Sequence, residues 1–254
     1  MSQTLETSVE QGLATVRLNR DHGNAINLDL VDELTAAFRR LDADGDVRGV
    51  QLAAAGKLFS PGLDLQELIE LDRPEMERFL ERFNACILSL YTFSKPLIAA
   101  IHGHAVAGGC VLTLTADWRV LQHEKLIGLN EVRVGVPLPY GVAMILRDSV
   151  PQRHLEEIAL YGRNHRGEEA VRVGLVHEVH PADGFEEHCR SRLEELASKD
   201  AAAFAITKRY LRAPTVERIM ADEARLASDF LDRWYSQSTR SKVQAIVDEL
   251  KAKK

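Results

Sequence analysis

The spacing of apolar residues changes several times along the chain, and each change marks an element. Leu5 to Glu10 and Leu13 to Leu18 alternate with period two around Gln11-Gly12, which predicts a β-hairpin. A polar loop, Arg20 to Asn27, follows. The period then lengthens: Leu30, Leu34, Phe38 and Leu41, with Val31 and Ala37 beside them, mark one face of a helix that Asn27 can cap. It ends in the Asp42–Asp46 turn around Gly45, and Val47 to Ala53 reads as the next strand. Leu63 to Leu71 suits a short helix, and Met76, Phe79, Leu80, Phe83, Ile87 and Leu90 predict a long amphipathic helix over Pro74 to Tyr91. Leu97 to Ile101 has the length of a buried strand.

Further on, Trp118 to Leu121 and Lys125 to Ile127 read as short strands, and Val132 to Pro139 as a rigid apolar loop. Helices are expected over Tyr140 to Val150, Pro151 to Tyr161 and Gly167 to Val173, the last ended by Gly174. Leu175 to Val179 reads as a final strand. From Ala182 the pattern is helical, with Ile219, Leu226, Phe230 and Trp234 on one face. A last helix, begun by Ser238 or Ser241, carries Val243, Ile246, Val247 and Leu250. A strand–strand–helix cadence recurs over the first ~180 residues without sequence identity, the mark of a structural repeat.

Two tight bends carry the candidate chemistry. Between Pro96 and Asp117 an apolar run meets His102-Gly103-His104, three small residues and then Gly108-Gly109, where a buried helix should begin. First-turn amides have no intrahelical acceptor and sit at the positive end of the helix dipole, so they can donate to an oxygen that gains charge. Pro61-Gly62 makes a second bend, from which the amide of Leu63 should point outward. The third feature is Glu131: between it and Leu138 only Arg133 is charged. Taken out of water, a carboxylate has its pKa raised and becomes a better base. Each feature alone has a structural explanation: glycines for close packing, a simple turn, a strand-end glutamate. Cys110 reads as a small buried hydrophobe, and His102 and His104 as packed histidines, since no third metal ligand accompanies them. Lys208, Arg209 and Lys242 suit solvated helix faces or phosphate contacts.

Composition narrows the classes. The chain has 254 residues, 45% hydrophobic and 28% charged, with net charge −6, and no basic stretch that suggests nucleic-acid binding. Its three cysteines are few and odd in number, as in reduced intracellular proteins. The N-terminal stretch MSQTLETSVEQG lacks a signal or transit pattern, and the C-terminal ELKAKK is not a peroxisomal signal. Pro96 to Ala116 is too interrupted to span a membrane. A cytoplasmic location is expected.

Taken jointly and in order, Phe-Ser-Pro-Gly-Leu-Asp, Ala-Gly-Gly-Cys and Gly-Leu-Asn-Glu resemble the motifs of the crotonase (enoyl-CoA hydratase/isomerase) superfamily, over nearly the whole chain. The resemblance implies an α/β fold, a spiral of β-β-α units, with residues 1–195 forming a core and 196–254 a helical oligomerisation region. It implies an acyl-CoA substrate, no separate cofactor or metal, and assembly as a homotrimer or dimer of trimers. The amides of Leu63 and Gly108 become an oxyanion hole and Glu131 the catalytic carboxylate. Substrate contacts are expected at Ser60, Pro61, Gly62, Asp64, Leu65, Gly109, Val111 and Leu138, with pocket depth set by Leu68, Ile69, Phe79 and Leu138. Hydratases of the family place a glutamate three positions after Gly108; this chain has Val111 there. Pro61 also departs from the commoner alanine. A single carboxylate suits a 1,3-proton shift, and the motif wording resembles the Δ3,Δ2-enoyl-CoA isomerases. Hydration, decarboxylation, thioester hydrolysis, C–C bond formation and non-catalytic acyl-CoA binding remain alternatives.

Overall fold

The computed structural model describes residues 4–252. The outermost residues of the two terminal stretches read above for targeting signals, 1–3 and 253–254, lie outside the described residues. The predicted hairpin is β1 (Leu5–Glu10) and β2 (Leu13–Leu18), turned through Gln11 and Gly12 at φ 52° and 76°. A single turn, α1 (Asp21–Asn24), leads to α2 (Leu28–Ala43), whose Leu30 amide donates to the Asn27 side chain. The apolar face predicted for α2 is the one it buries. Then come β3 (Gly49–Ala54), β4 (Leu58–Ser60), α3 (Leu65–Leu68) and α4 (Arg73–Tyr91). Asp72 and Glu75 close a capping box at the start of α4, which fixes where that helix begins. The next units are β5 (Leu97–Ile101), β6 (His104–Val106) and α5 (Gly108–Leu114), then β7 (Trp118–Gln122), β8 (Leu126–Gly128) and α6 (Glu131–Val134). The chain continues through α7 (Tyr140–Ser149), a 3-10 turn, α8 (Leu155–Ala159), β9 (Asn164–Arg166), α9 (Gly167–Arg172) and β10 (Glu178–His180). Three helices end it: α10 (Phe185–Ala197), α11 (Ala201–Trp234) and α12 (Gln237–Ala252).

The strands form two sheets, ordered β1-β2-β3-β5-β7-β10 and β4-β6-β8-β9. Successive strands β3/β4, β5/β6 and β7/β8 therefore alternate between the sheets before each helix. That is the α/β crotonase spiral, and it explains the recurring cadence in the sequence. The inner strands of the larger sheet pair in parallel, and the central β5 (LIAAI), buried on both faces, reads as an unbroken apolar run. Along β5 the period of two sorts the layers. Leu97, Ala99 and Ile101 join the main core, while Ile98 and Ala100 pack with Phe185, Cys189 and Leu193 of α10. Among the described residues no helix is long and apolar enough to cross a membrane.

Several local readings need correction: β6 falls where only a tight bend was expected, and the helix expected over Leu63 to Leu71 is Leu65–Leu68. Glu131–Val134 is a helical turn, ended by Gly135 at φ 100°, where an apolar loop was expected from Val132. The last strand is Glu178–His180, later than expected, because Leu175 and Val176 are core residues of the turn before it. Strand β9 was not predicted at all: Asn-His-Arg has no alternating pattern. The last helix starts at Gln237, ahead of both serines.

Candidate active site

The two bends meet. Ile26 and Leu63 form a parallel bridge in which Ile26 N–H donates to Gly62 O and Asp64 N–H donates to Ile26 O. The amide of Leu63 between them must face the opposite side. Gly108 begins α5, so its amide has no intrahelical acceptor. The packing between these bends leaves no room for side chains. A Cβ on Gly62 would lie 2.9 Å from Gly108 N, and one on Gly109 would lie 2.2 Å from Ser60 O. A Cβ on Gly108 would lie 3.5 Å from Leu63 N, so the two amides adjoin. Ala107, just before the helix, holds φ 48° and ψ −126°, a glycine-like conformation that costs of order 1–3 kcal/mol in a residue with a side chain. Val111 N–H bonds Ala107 O at 3.0 Å and Ala107 N–H bonds Gly128 O at 2.9 Å, which hold it there.

A cavity of about 480 Å³ opens against these amides. Pro61, Leu63, Asp64, Leu65, Gly108, Val111 and Glu131 all border it. Glu131 borders it from the first turn of α6, positioned by β8 and by the Gly135 stop. Its Oε2 is buried and finds no hydrogen-bond partner among the described residues. Burial pushes this carboxyl up to about 7 from an ordinary 4.5, while the amides of Glu131 and Asn130 pull the other way. A group that titrates near neutrality can both take up and release a proton.

The other expected contact residues play a different part. Ser60 is fully buried: its hydroxyl donates to Asn24 O and accepts from Gly62 N–H. Asp64 caps α3, accepting from Gln66 and Glu67 amides, and pairs with Arg20 at 2.8 Å. Gly62 and Gly109 allow the bends to touch, and none of Ser60, Gly62 or Gly109 borders the cavity. Leu138 borders a smaller neighbouring cavity of about 150 Å³, which shares Leu80, Pro139 and Phe230 with the larger one. Leu68, Ile69 and Phe79 are core residues that do not line the cavity; Leu80 and Phe83 do.

Sequence reasoning missed one wall. Phe230 and Trp234 of α11 and Ile246 and Leu250 of α12 close the cavity from the C-terminal end of the chain. The signal was present, since Ile246 and Leu250 continue the face of Val243 and Val247 yet are less buried, but helical periodicity does not say what a face covers. Lys208 is also misread as solvated: it is buried, paired with Asp117 at 2.7 Å, and burial pulls it down to about 8. Cys110 is wholly buried and its thiol is pushed up, first by burial and then by Glu131, so it is no nucleophile. His102 bonds Gly56 O and His104 accepts from Leu126 N–H, as packed histidines do.

A β-β-α spiral that sets two adjoining amides and a buried carboxylate around one apolar cavity defines a crotonase-type, acyl-CoA-binding protein. The chain belongs to the enoyl-CoA hydratase/isomerase family, whose model matches residues 8–252. It is 28% identical to mouse mitochondrial enoyl-CoA delta isomerase 1 over 98% of this chain and 88% of that protein. It is 33% identical to a putative enoyl-CoA hydratase of Thermus thermophilus over 81% and 83%. The crystal structure of human mitochondrial delta3-delta2-enoyl-CoA isomerase superposes with TM-score 0.95 at 26% identity, covering 99% of this chain and all of that one.

Proposed function

We propose that this enzyme isomerises 3-enoyl-CoA to trans-2-enoyl-CoA, as in the β-oxidation of unsaturated fatty acids. The observation that carries the reading is the single unpaired carboxylate on the cavity. Glu131 has a free oxygen, Asp64 is engaged by Arg20, and the position one turn into α5 is the apolar Val111. The thioester oxygen sits between the amides of Leu63 and Gly108. Glu131 takes a proton from C2, the electrons pass into a dienolate whose oxygen the two amides hold, and the same carboxyl returns the proton at C4. The double bond moves from C3 to C2, and no water or second acid is needed. Pro61, Leu65 and Val111 line the path of the acyl group beside the bends.

Hydration is the second reading, favoured by the 33% identity to a protein named as a putative hydratase. Adding water across C2=C3 calls for one group to activate the water and another to protonate C2, and of the two carboxylates on the cavity only Glu131 is free of an ion pair. Turnover of 3-enoyl-CoA and 2-enoyl-CoA in one assay decides. The expected result is conjugated enoyl-thioester absorbance appearing from the 3-enoyl substrate and no loss of it from the 2-enoyl substrate. The reverse pattern establishes hydration, and tight binding with no turnover of any ester in an acyl-CoA panel establishes a binding protein. The same reading carries a cytoplasmic homotrimer or dimer of trimers, assembled through 196–254. Exposed Ile206, Tyr210, Leu211 and Met220 on α11 support it, and light scattering after size exclusion tests it.

A further inference from the structure

Away from the cavity, three elements bring one histidine and two glutamates together. Glu157 on α8, His165 on β9 and Glu169 on α9 have ligand atoms that all lie within 4.8 Å of one another. His165 Nδ1 is 3.6 Å from Glu169 Oε1. The His165 side chain is 0% exposed, and neither ring nitrogen has a hydrogen-bond partner among the described residues. A buried imidazole with both nitrogens unmet costs of order 1–3 kcal/mol, a cost that leucine or isoleucine at that strand position would avoid.

We propose that Glu157, His165 and Glu169 form a structural site for a divalent transition ion, with Zn2+ the ion that best fits one imidazole and two carboxylates. Two ligands on a tetrahedral zinc lie about 3.4 Å apart, close to the His165–Glu169 separation, so small side-chain movements complete the triangle. Water supplies the fourth ligand. The Glu157 carboxylate is oriented from behind: His154 Nδ1 lies 3.4 Å from its Oε2, and Arg153 donates to the other His154 nitrogen at 3.1 Å.

The competing account is a self-sufficient ion cluster. Arg163 lies 3.3 Å from both carboxylates, and Arg172 lies 3.5 and 3.8 Å from them. These contacts are longer than strong charged hydrogen bonds, and both guanidinium groups are more than half exposed, so they can swing into water at little cost. They account for the glutamates, and Glu169 for His165 Nδ1, but Nε2 of that buried ring is left without a partner among the described residues. The ion would tie α8, β9 and α9 together beside β8, which leads to Glu131. It is a tie within the fold and takes no part in the reaction proposed above.

Chelator-stripped protein titrated with Zn2+ at pH 7.5 by calorimetry tests this. The expected result is one tight equivalent, at least 10-fold weaker in Glu157→Gln and in Glu169→Gln and absent in His165→Leu. Zinc should raise the melting temperature of the wild type, raise that of the glutamine variants less and leave that of His165→Leu unmoved. If His165→Leu does not fold, the two glutamine variants, at partly exposed positions, carry the test. Zinc uptake that is absent from the wild type, or equal in wild type and variants, overturns the site.

Discussion

Two mostly buried carboxylates, fourteen positions apart at the two ends of the β7–β8 segment, have opposite surroundings. Asp117 accepts from Leu97 N–H at 2.8 Å, pairs with Lys208 at 2.7 Å and pairs with Arg212 at 2.8 Å. Those partners lie on β5 and α11, so the residue ties α11 to the central sheet. Glu131 has an oxygen with no partner and a carboxyl that burial pushes up to about 7. The difference separates structure from chemistry. A buried carboxylate with both oxygens paired holds elements in place, and one with an oxygen left over is available to a substrate proton.

The comparison can be broken at either end. Glu131→Gln should lower kcat by about 10²–10⁴-fold with the fold intact, checked by turnover of 3-enoyl-CoA beside circular dichroism. In the wild type kcat/KM should fall as pH drops below about 7, since the base must be ionised. Asp117→Ala should leave Lys208 and Arg212 as buried unpaired cations and cost about 3–5 kcal/mol of stability, measured by urea unfolding. An unchanged midpoint there would refute the tie.

Stability against pH sharpens the contrast. The folded pKa of Glu131 lies above its unfolded value, so folding favours the protonated form. That advantage is whole below about pH 4.5 and is lost as pH rises through about 7. Glu131→Gln should therefore be more stable than wild type by about 3 kcal/mol above pH 7, with the gap closing towards pH 4.5 in thermal melts. The smallest effect belongs to a pair in water. Arg82→Ala removes the exposed contact with Asp32 at 2.7 Å and should change stability by less than about 1 kcal/mol, which would show that pairing matters at Asp117 because it is buried.

Local chemistry made much of this legible in the residues. Asn27 caps α2, the apolar faces of α2 and α4 are those predicted, and the doublet Gly108-Gly109 opens α5. The β-β-α cadence marked the structural repeat, though not that its strands alternate between two sheets. The motifs carried Leu63, Gly108 and Glu131 as candidates, and all three border one cavity. Where the pattern was short or polar it misled. Asn164–Arg166 is a strand because β8 pairs with it, and Glu131 sits on a helical turn because Gly135 can take φ 100°.

Periodicity and turn chemistry act over a few residues, so the chain order of amino acids was enough to set the elements, their caps and the two bends. What those elements meet depends on contacts between positions far apart in the chain. Packing alone closed the cavity with Phe230, Trp234, Ile246 and Leu250, turned Lys208 inward to Asp117, and left Glu131 Oε2 without a hydrogen-bond partner among the described residues. A side chain's hydration and pairing belong to its neighbours in space, and those neighbours exist only once the chain has folded.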